Sequence, residues 1–196
     1  DALSRGLGDV YKRQSLYGAI LNPGCRFFDM RIGQSVTLTG RCITKHMGAK
    51  VNEIIGGKYD HVGQSIIYGD TDSVYFSAHK TLAKEIDSGQ IPWNKESVIS
   101  LSDKIAEEVN TTFAGFMSKA FHCPTTRGSV IKAGRELVAL KGLFITKKRY
   151  AVLYFDKEGE RVDNAGKEGK VKAMGLDLKR SDTPVFVQNF LSDVLY

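Results

Sequence analysis

Two carboxylates stand two residues apart in the string Tyr68-Gly69-Asp70-Thr71-Asp72-Ser73, between short runs of β-forming side chains. Ile66 and Tyr68 lead into it, and Val74 and Phe76 follow. This pattern predicts strands over 64–68 and 73–77, with Gly69 to Asp72 as the turn between them. Alternation along a strand turns residues i and i+2 to one side, so Asp70 and Asp72 are expected to converge. A divalent cation, which prefers oxygen ligands, would relieve their repulsion. A plain Asx-type turn is the other reading, in which Asp70 only accepts bonds from nearby backbone amides.

Long amphipathic stretches lie on either side. Val36, Gly40, Ile43, Met47, Val51 and Ile54 recur at spacings of 3 and 4. They predict a helix over 32–55, ended by Gly56-Gly57. Val98, Leu101, Ile105, Val109, Phe113, Phe116 and Ala120 form a similar stripe over 96–121, with Pro124 just beyond. Residues 15–21 read as the end of a helix that Asn22-Pro23-Gly24 stops. Further β segments are expected over 129–133, 143–155 and 170–176, with Asp156-Lys157-Glu158-Gly159 as a turn. Thr183 can cap a last helix with Pro184 at its first position. The stripe of that helix is still apolar at Tyr196, as expected of a piece of a longer protein. The fold class expected is α+β: helices packed on one face of a mainly antiparallel sheet.

Charge adds a second theme. The chain carries +6 overall, but residues 127–180 hold 14 Lys/Arg against 7 Asp/Glu. A surplus confined to one segment suits a polyanion surface, and equally a solvated basic face. Cys25, Cys42 and Cys123 have no paired spacing and read as reduced thiols of a cytoplasmic protein. His46, His61, His79 and His122 make no zinc pattern. No apolar run approaches the roughly 20 residues of a membrane helix, so no membrane partner is expected.

The string from Tyr68 to Ser73 resembles motif C of family B DNA polymerases at every position. Lys147-Lys148-Arg149-Tyr150 is similar to the family's Lys-Lys-x-Tyr motif on a palm strand. Ser15-Leu16-Tyr17-Gly18 resembles the end of motif B on a fingers helix. In that register Gln14 stands where the family has Asn, and Val10 where it has Lys. Residues 1–14 resemble translated adaptor DNA and are expected to be a non-native scar. Arg135-Glu136, Asp156 to Gly159, and the run from Gly175 to Pro184 resemble T-even-type phage replicative polymerases.

The resemblance implies a palm-type sheet within a fragment of a larger polymerase. The end of a fingers helix would cover 15–22, the palm 23–175 and the start of the thumb 176–196. It implies template-directed transfer of a deoxynucleotide to a primer 3′ end by two-metal catalysis, with Mg2+ as the usual ion. Asp72 would be the main ligand and Asp70 the second. Glu136 would be an auxiliary carboxylate, or else an ion-pair partner of Arg135 or a lysine. Tyr17 and Gly18 would face the incoming dNTP. Tyr68, Thr71, Lys147, Lys148, Arg149 and Tyr150 would face primer–template DNA. On one continuous strand, Lys148 and Tyr150 would share a face and Lys147 and Arg149 the other. A sliding clamp and replisome proteins are implied partners of the whole enzyme, and the infected host's cytoplasm its location. The motif A aspartate is absent, so the fragment alone is expected to be inactive. Two other readings are a nucleotide cyclase and a non-catalytic nucleic-acid-binding module with an RNA-recognition-like sheet.

Overall fold

A computed structural model describes residues 16–163, 168–176 and 183–195 of the chain. The expected scar over 1–14, with Val10 and Gln14, lies outside the described residues.

Helix α1 covers 16–21. Asp29 then starts α2 (Met30–Gly56), its carboxylate accepting the Arg31 N–H at 2.9 Å. Gly57 ends the helix at φ 73°, donating its N–H to the Glu53 carbonyl. The left-handed conformation of that stop favours glycine. The hairpin follows as β1 (Ile66–Asp70) and β2 (Ser73–Phe76). After the short helix α3 (Ala83–Asp87) comes α4 (Lys95–Phe121). Asn94 and Ser97 cap α4 reciprocally: each side chain accepts the other's backbone N–H.

The stripes meet as their spacing predicts. Val51 of α2 packs with Ile105, Val109 and Phe113 of α4. Ile66 and Phe76 of the hairpin close over this cluster. A side chain as large as Phe113, 1% exposed, contributes about 1.5–3 kcal/mol by leaving water. The stripe of α4 departs from expectation in its last turns. Met117 is the buried residue there, and Ala120 is exposed. Phe116 instead stacks on His46 of α2 at 4.1 Å. Burial holds the His46 imidazole below its ordinary pKa, while Tyr59 and Thr112 hydroxyls bond its two nitrogens.

Two β expectations need correction. Residues 129–133 form no strand. They follow a short helix, α5 (Thr125–Gly128), and Asn110 of α4 bonds both backbone groups of Ala133. That one side chain replaces the bonds a neighbouring strand would have offered. The single strand expected over 143–155 is two strands, β3 (Leu137–Thr146) and β4 (Arg149–Lys157). β5 (Glu160–Arg161) and β6 (Lys170–Met174) pair along the other edge of β4. The last helix, α6 (Val185–Leu195), follows Pro184.

Every strand pair is antiparallel, as expected, but the strands form two sheets rather than one. β4 is the centre of the larger, buried along most of its length from Tyr150 to Asp156. Arg135 ties that strand to α4, bonding Asp103 at 2.6 Å and the buried Asp156. Burial opposes the Arg135 charge, and the two carboxylates more than offset it, so its pKa stands above the ordinary value. Between β2 and β3 lies a cleft of about 780 Å³.

Candidate metal turn and nucleic-acid interface

The hairpin register pairs Tyr68 with Tyr75, Gly69 with Val74 and Asp70 with Ser73. Thr71 and Asp72 are therefore the whole loop. Thr71 sits at φ 49°, where a β-branched residue is strained by about 1–3 kcal/mol. Positive φ at the first loop residue alone is the sign pattern of a II′ turn, usually given to glycine. The Asp70 carboxylate is half-buried and accepts the Thr71 hydroxyl at 3.1 Å, while Asp72 is exposed. Among the described residues, no backbone N–H donates to either carboxylate, which removes the Asx reading. No cation pairs with either of them among the described residues. Nor do the described residues bring three or more His, Cys, Asp or Glu together as a metal cage. The turn offers two neighbouring oxygen donors without a positive partner.

The Lys-Lys-Arg-Tyr motif is not where alternation put it. Thr146 pairs with Arg149, so Lys147 and Lys148 form the tip of the β3–β4 hairpin, with Lys148 at φ 62°. The expected split of Lys148 with Tyr150 and Lys147 with Arg149 onto opposite strand faces therefore fails. Lys147, Lys148 and Arg149 are exposed, and none is paired with a carboxylate among the described residues. Gly175, at φ 61°, backs the tip: a Cβ there would collide with the Lys148 carbonyl oxygen. Arg149 Nε donates to the Gly175 carbonyl at 3.2 Å.

The basic tip rests against strand β1 of the acidic hairpin, at a residue two before Asp70. The Lys148 N–H donates to the Tyr68 hydroxyl at 2.8 Å. Tyr68, Tyr75, Phe144 and Tyr150 pack there, with ring centroids 5.3–6.1 Å apart. The Tyr75 hydroxyl donates to that of Tyr150 at 3.3 Å. Burial first, and then this bond, hold the Tyr75 phenol protonated far above its ordinary range. Tyr150 is 6% exposed, so it is part of this support and not a free face beside Lys148. Tyr68 likewise commits its hydroxyl to the junction.

Other expected residues stand apart. Glu136 pairs with Lys172 at 2.6 Å, not with Arg135. Tyr17 is half-exposed and the space beside Gly18 is open. No hydrogen bond or ring contact joins either to the two tips among the described residues. Three supporting residues escaped the sequence reading. Tyr75 was recoverable, since a two-residue loop sets it opposite Tyr68. Phe144 and Thr44, whose hydroxyl reaches the Thr71 carbonyl, carry no local signal.

In sequence, the chain is similar to known DNA polymerases. The chain is 31% identical over 192 residues to the DNA-directed DNA polymerase of Escherichia phage RB69, covering 92% of this chain and 20% of that protein. It is 26% identical over 190 residues to the DNA-directed DNA polymerase of Enterobacteria phage T4, covering 91% and 20%. A DNA polymerase of Methanocaldococcus jannaschii is 26% identical over 176 residues, 90% of this chain and 8% of that protein. The chain thus spans about a fifth of the length of the two phage relatives. The sequence pattern of DNA polymerase family B matches residues 13–196, through both hairpins and the junction between them, and on that match the chain belongs to DNA polymerase family B.

Proposed function

We propose that this chain is the C-terminal palm segment of a DNA-directed DNA polymerase, bounded by the end of the fingers near α1 and the start of the thumb at α6. One observation carries the reading. An acidic tip and a basic tip, neither neutralised within the described chain, are joined by the bond from Lys148 N–H to Tyr68 Oη. Asp72 and Asp70 fit a divalent ion as oxygen donors. Bound magnesium would neutralise the triphosphate and favour an activated primer 3′ oxygen.

The chain's own residues do the placing. Lys147, Lys148 and Arg149, exposed and without a carboxylate partner among the described residues, are suited to hold backbone phosphates of primer–template DNA. The aromatic junction fixes their distance from the carboxylates, and position is most of what phosphoryl-transfer catalysis needs. Tyr17 and Gly18 are proposed for the dNTP side. A clamp and replisome proteins would be partners of the whole enzyme, and its phage relatives suggest action in infected host cytoplasm. No helix among the described residues is long and apolar enough to cross a membrane. An RNA-recognition-like module is disfavoured, because the aromatics pack on one another instead of facing solvent as stacking platforms.

The test is primer extension by the full-length polymerase carrying Asp70→Ala and Asp72→Ala. Extension should vanish while primer–template binding persists. Normal extension would overturn the reading. The 196-residue chain alone should extend nothing, since two carboxylates from one turn form only part of a two-metal site.

A further inference from the structure

The carbonyl between the two aspartates is held from outside the hairpin. Thr44 stands on α2, half-buried and facing β1 and β2. Its hydroxyl donates to the Thr71 carbonyl at 2.8 Å, with the Gly40 carbonyl of its own helix at 3.1 Å as a second acceptor. The shorter bond crosses 27 residues of sequence. Every other hydrogen bond to the loop is made within the hairpin: Thr71 to the Asp70 carboxylate and Ser73 to the Asp70 carbonyl. Among the described residues, Thr44 is thus the one hydrogen-bonding link from another element to residues 70–73.

The bond acts on the peptide that decides the turn. The Thr71 carbonyl belongs to the central peptide of the two-residue loop. Rotating that peptide interconverts turn types and re-aims the residues on both sides of it. Thr71 lies at φ 49°, so the loop is strained and has a reason to relax. An external donor on the carbonyl opposes that rotation.

We propose that Thr44 is a positioning residue for the carboxylate pair, acting through the Thr71 carbonyl to keep Asp70 and Asp72 aimed at one metal. This rests on the reading of the two aspartates as metal ligands. The threonine touches neither metal nor substrate, so its loss should loosen the site without altering its chemical groups.

The experiment uses the full-length polymerase with Thr44→Val, which keeps shape and removes the donor, and Thr44→Ser, which keeps the donor. Primer extension is followed against Mg2+ concentration and against dNTP, per active site by titration with primer–template, and Mg2+ binding is followed without turnover by calorimetry on the complex with a dideoxy-ended primer–template. We expect Thr44→Val to lower kcat by about tenfold, as small misplacements do. Half-saturating Mg2+ should rise several-fold, with KM for dNTP little changed. Thr44→Ser should restore most of both. The proposal is overturned if Thr44→Val keeps the normal Mg2+ requirement, if serine is as impaired as valine, or if the valine protein does not fold. Asp72→Asn runs alongside. If it extends normally, the metal-ligand reading fails; if it is dead while Thr44→Val is normal, only the Thr44 proposal fails.

Discussion

Replacing Tyr68 with Phe isolates the joint between the two tips. The substitution removes one oxygen and leaves the ring, so its contacts with Tyr75, Phe144 and Tyr150 persist. What disappears is the acceptor for the Lys148 N–H. Lys148 is exposed, so water can replace the lost partner, and the net cost sits in the ordinary range of about 0.5–1.5 kcal/mol. That cost falls on the turn, because Lys148 at φ 62° holds a conformation disfavoured for lysine. The turn then spends less time in the geometry proposed to bind DNA. Affinity for primer–template should fall by about two- to tenfold, following the same 0.5–1.5 kcal/mol. The salt dependence should keep its slope, because Lys147, Lys148 and Arg149 are all still present. Lys148→Ala behaves differently, lowering the slope by about one unit. Fluorescence anisotropy of labelled primer–template with the full-length polymerase, over a salt series, measures both. A double-mutant cycle completes the test. If Tyr68 acts by placing Lys148, Tyr68→Phe should cost much less when Lys148 is already alanine. An equal cost in both backgrounds would refute the reasoning, as would unchanged affinity for Tyr68→Phe.

Two further outcomes follow from the larger sheet. Asp156→Ala should destabilise the protein by about 3 kcal/mol, the low end for a broken buried pair, because Asp103 still partners Arg135. Urea unfolding followed by Trp93 fluorescence measures this, and a loss below about 1 kcal/mol would contradict the buried-pair account. Arg161, and then Lys95, hold the Asp163 carboxyl well below its ordinary pKa. A depressed folded pKa means stability that is present above the unfolded value and lost as acid titrates the folded group. Resistance to urea should therefore fall as pH drops below about 4, and Asp163→Asn should flatten that fall.

The parts of this fold that were legible are those written in local pattern. The stripes of α2 and α4 gave both helices within about two residues, and Ile66 to Phe76 gave the acidic hairpin. The misses share one physical cause: a distant group satisfied what the local sequence left open. Val130 and Ile131 have the β-branched character of a strand, yet Asn110 takes both backbone groups of Ala133 and no strand forms. Lys147-Lys148 contains no Gly, Asn, Asp or Pro, so nothing local marked a turn. The turn exists because Tyr68 receives the Lys148 amide and Gly175 leaves room for its carbonyl. Of the candidate site, the carboxylates and the lysines were legible as residues. Their arrangement was not, because it depends on contacts across many residues.

That dependence bears on how the protein assembles. The bond between the tips spans 80 residues of chain, whereas each hairpin closes over a handful. Local hairpins and helices form in microseconds or less, while distant closures wait on chain entropy. Both turns can therefore be complete before they meet, and their junction should be among the last contacts made on folding. By the same logic it is among the first to open under load. The seam between the two hairpins would then be the least cooperative one of the segment, built from finished parts and held shut by four aromatic rings, one amide and one pair of hydroxyls.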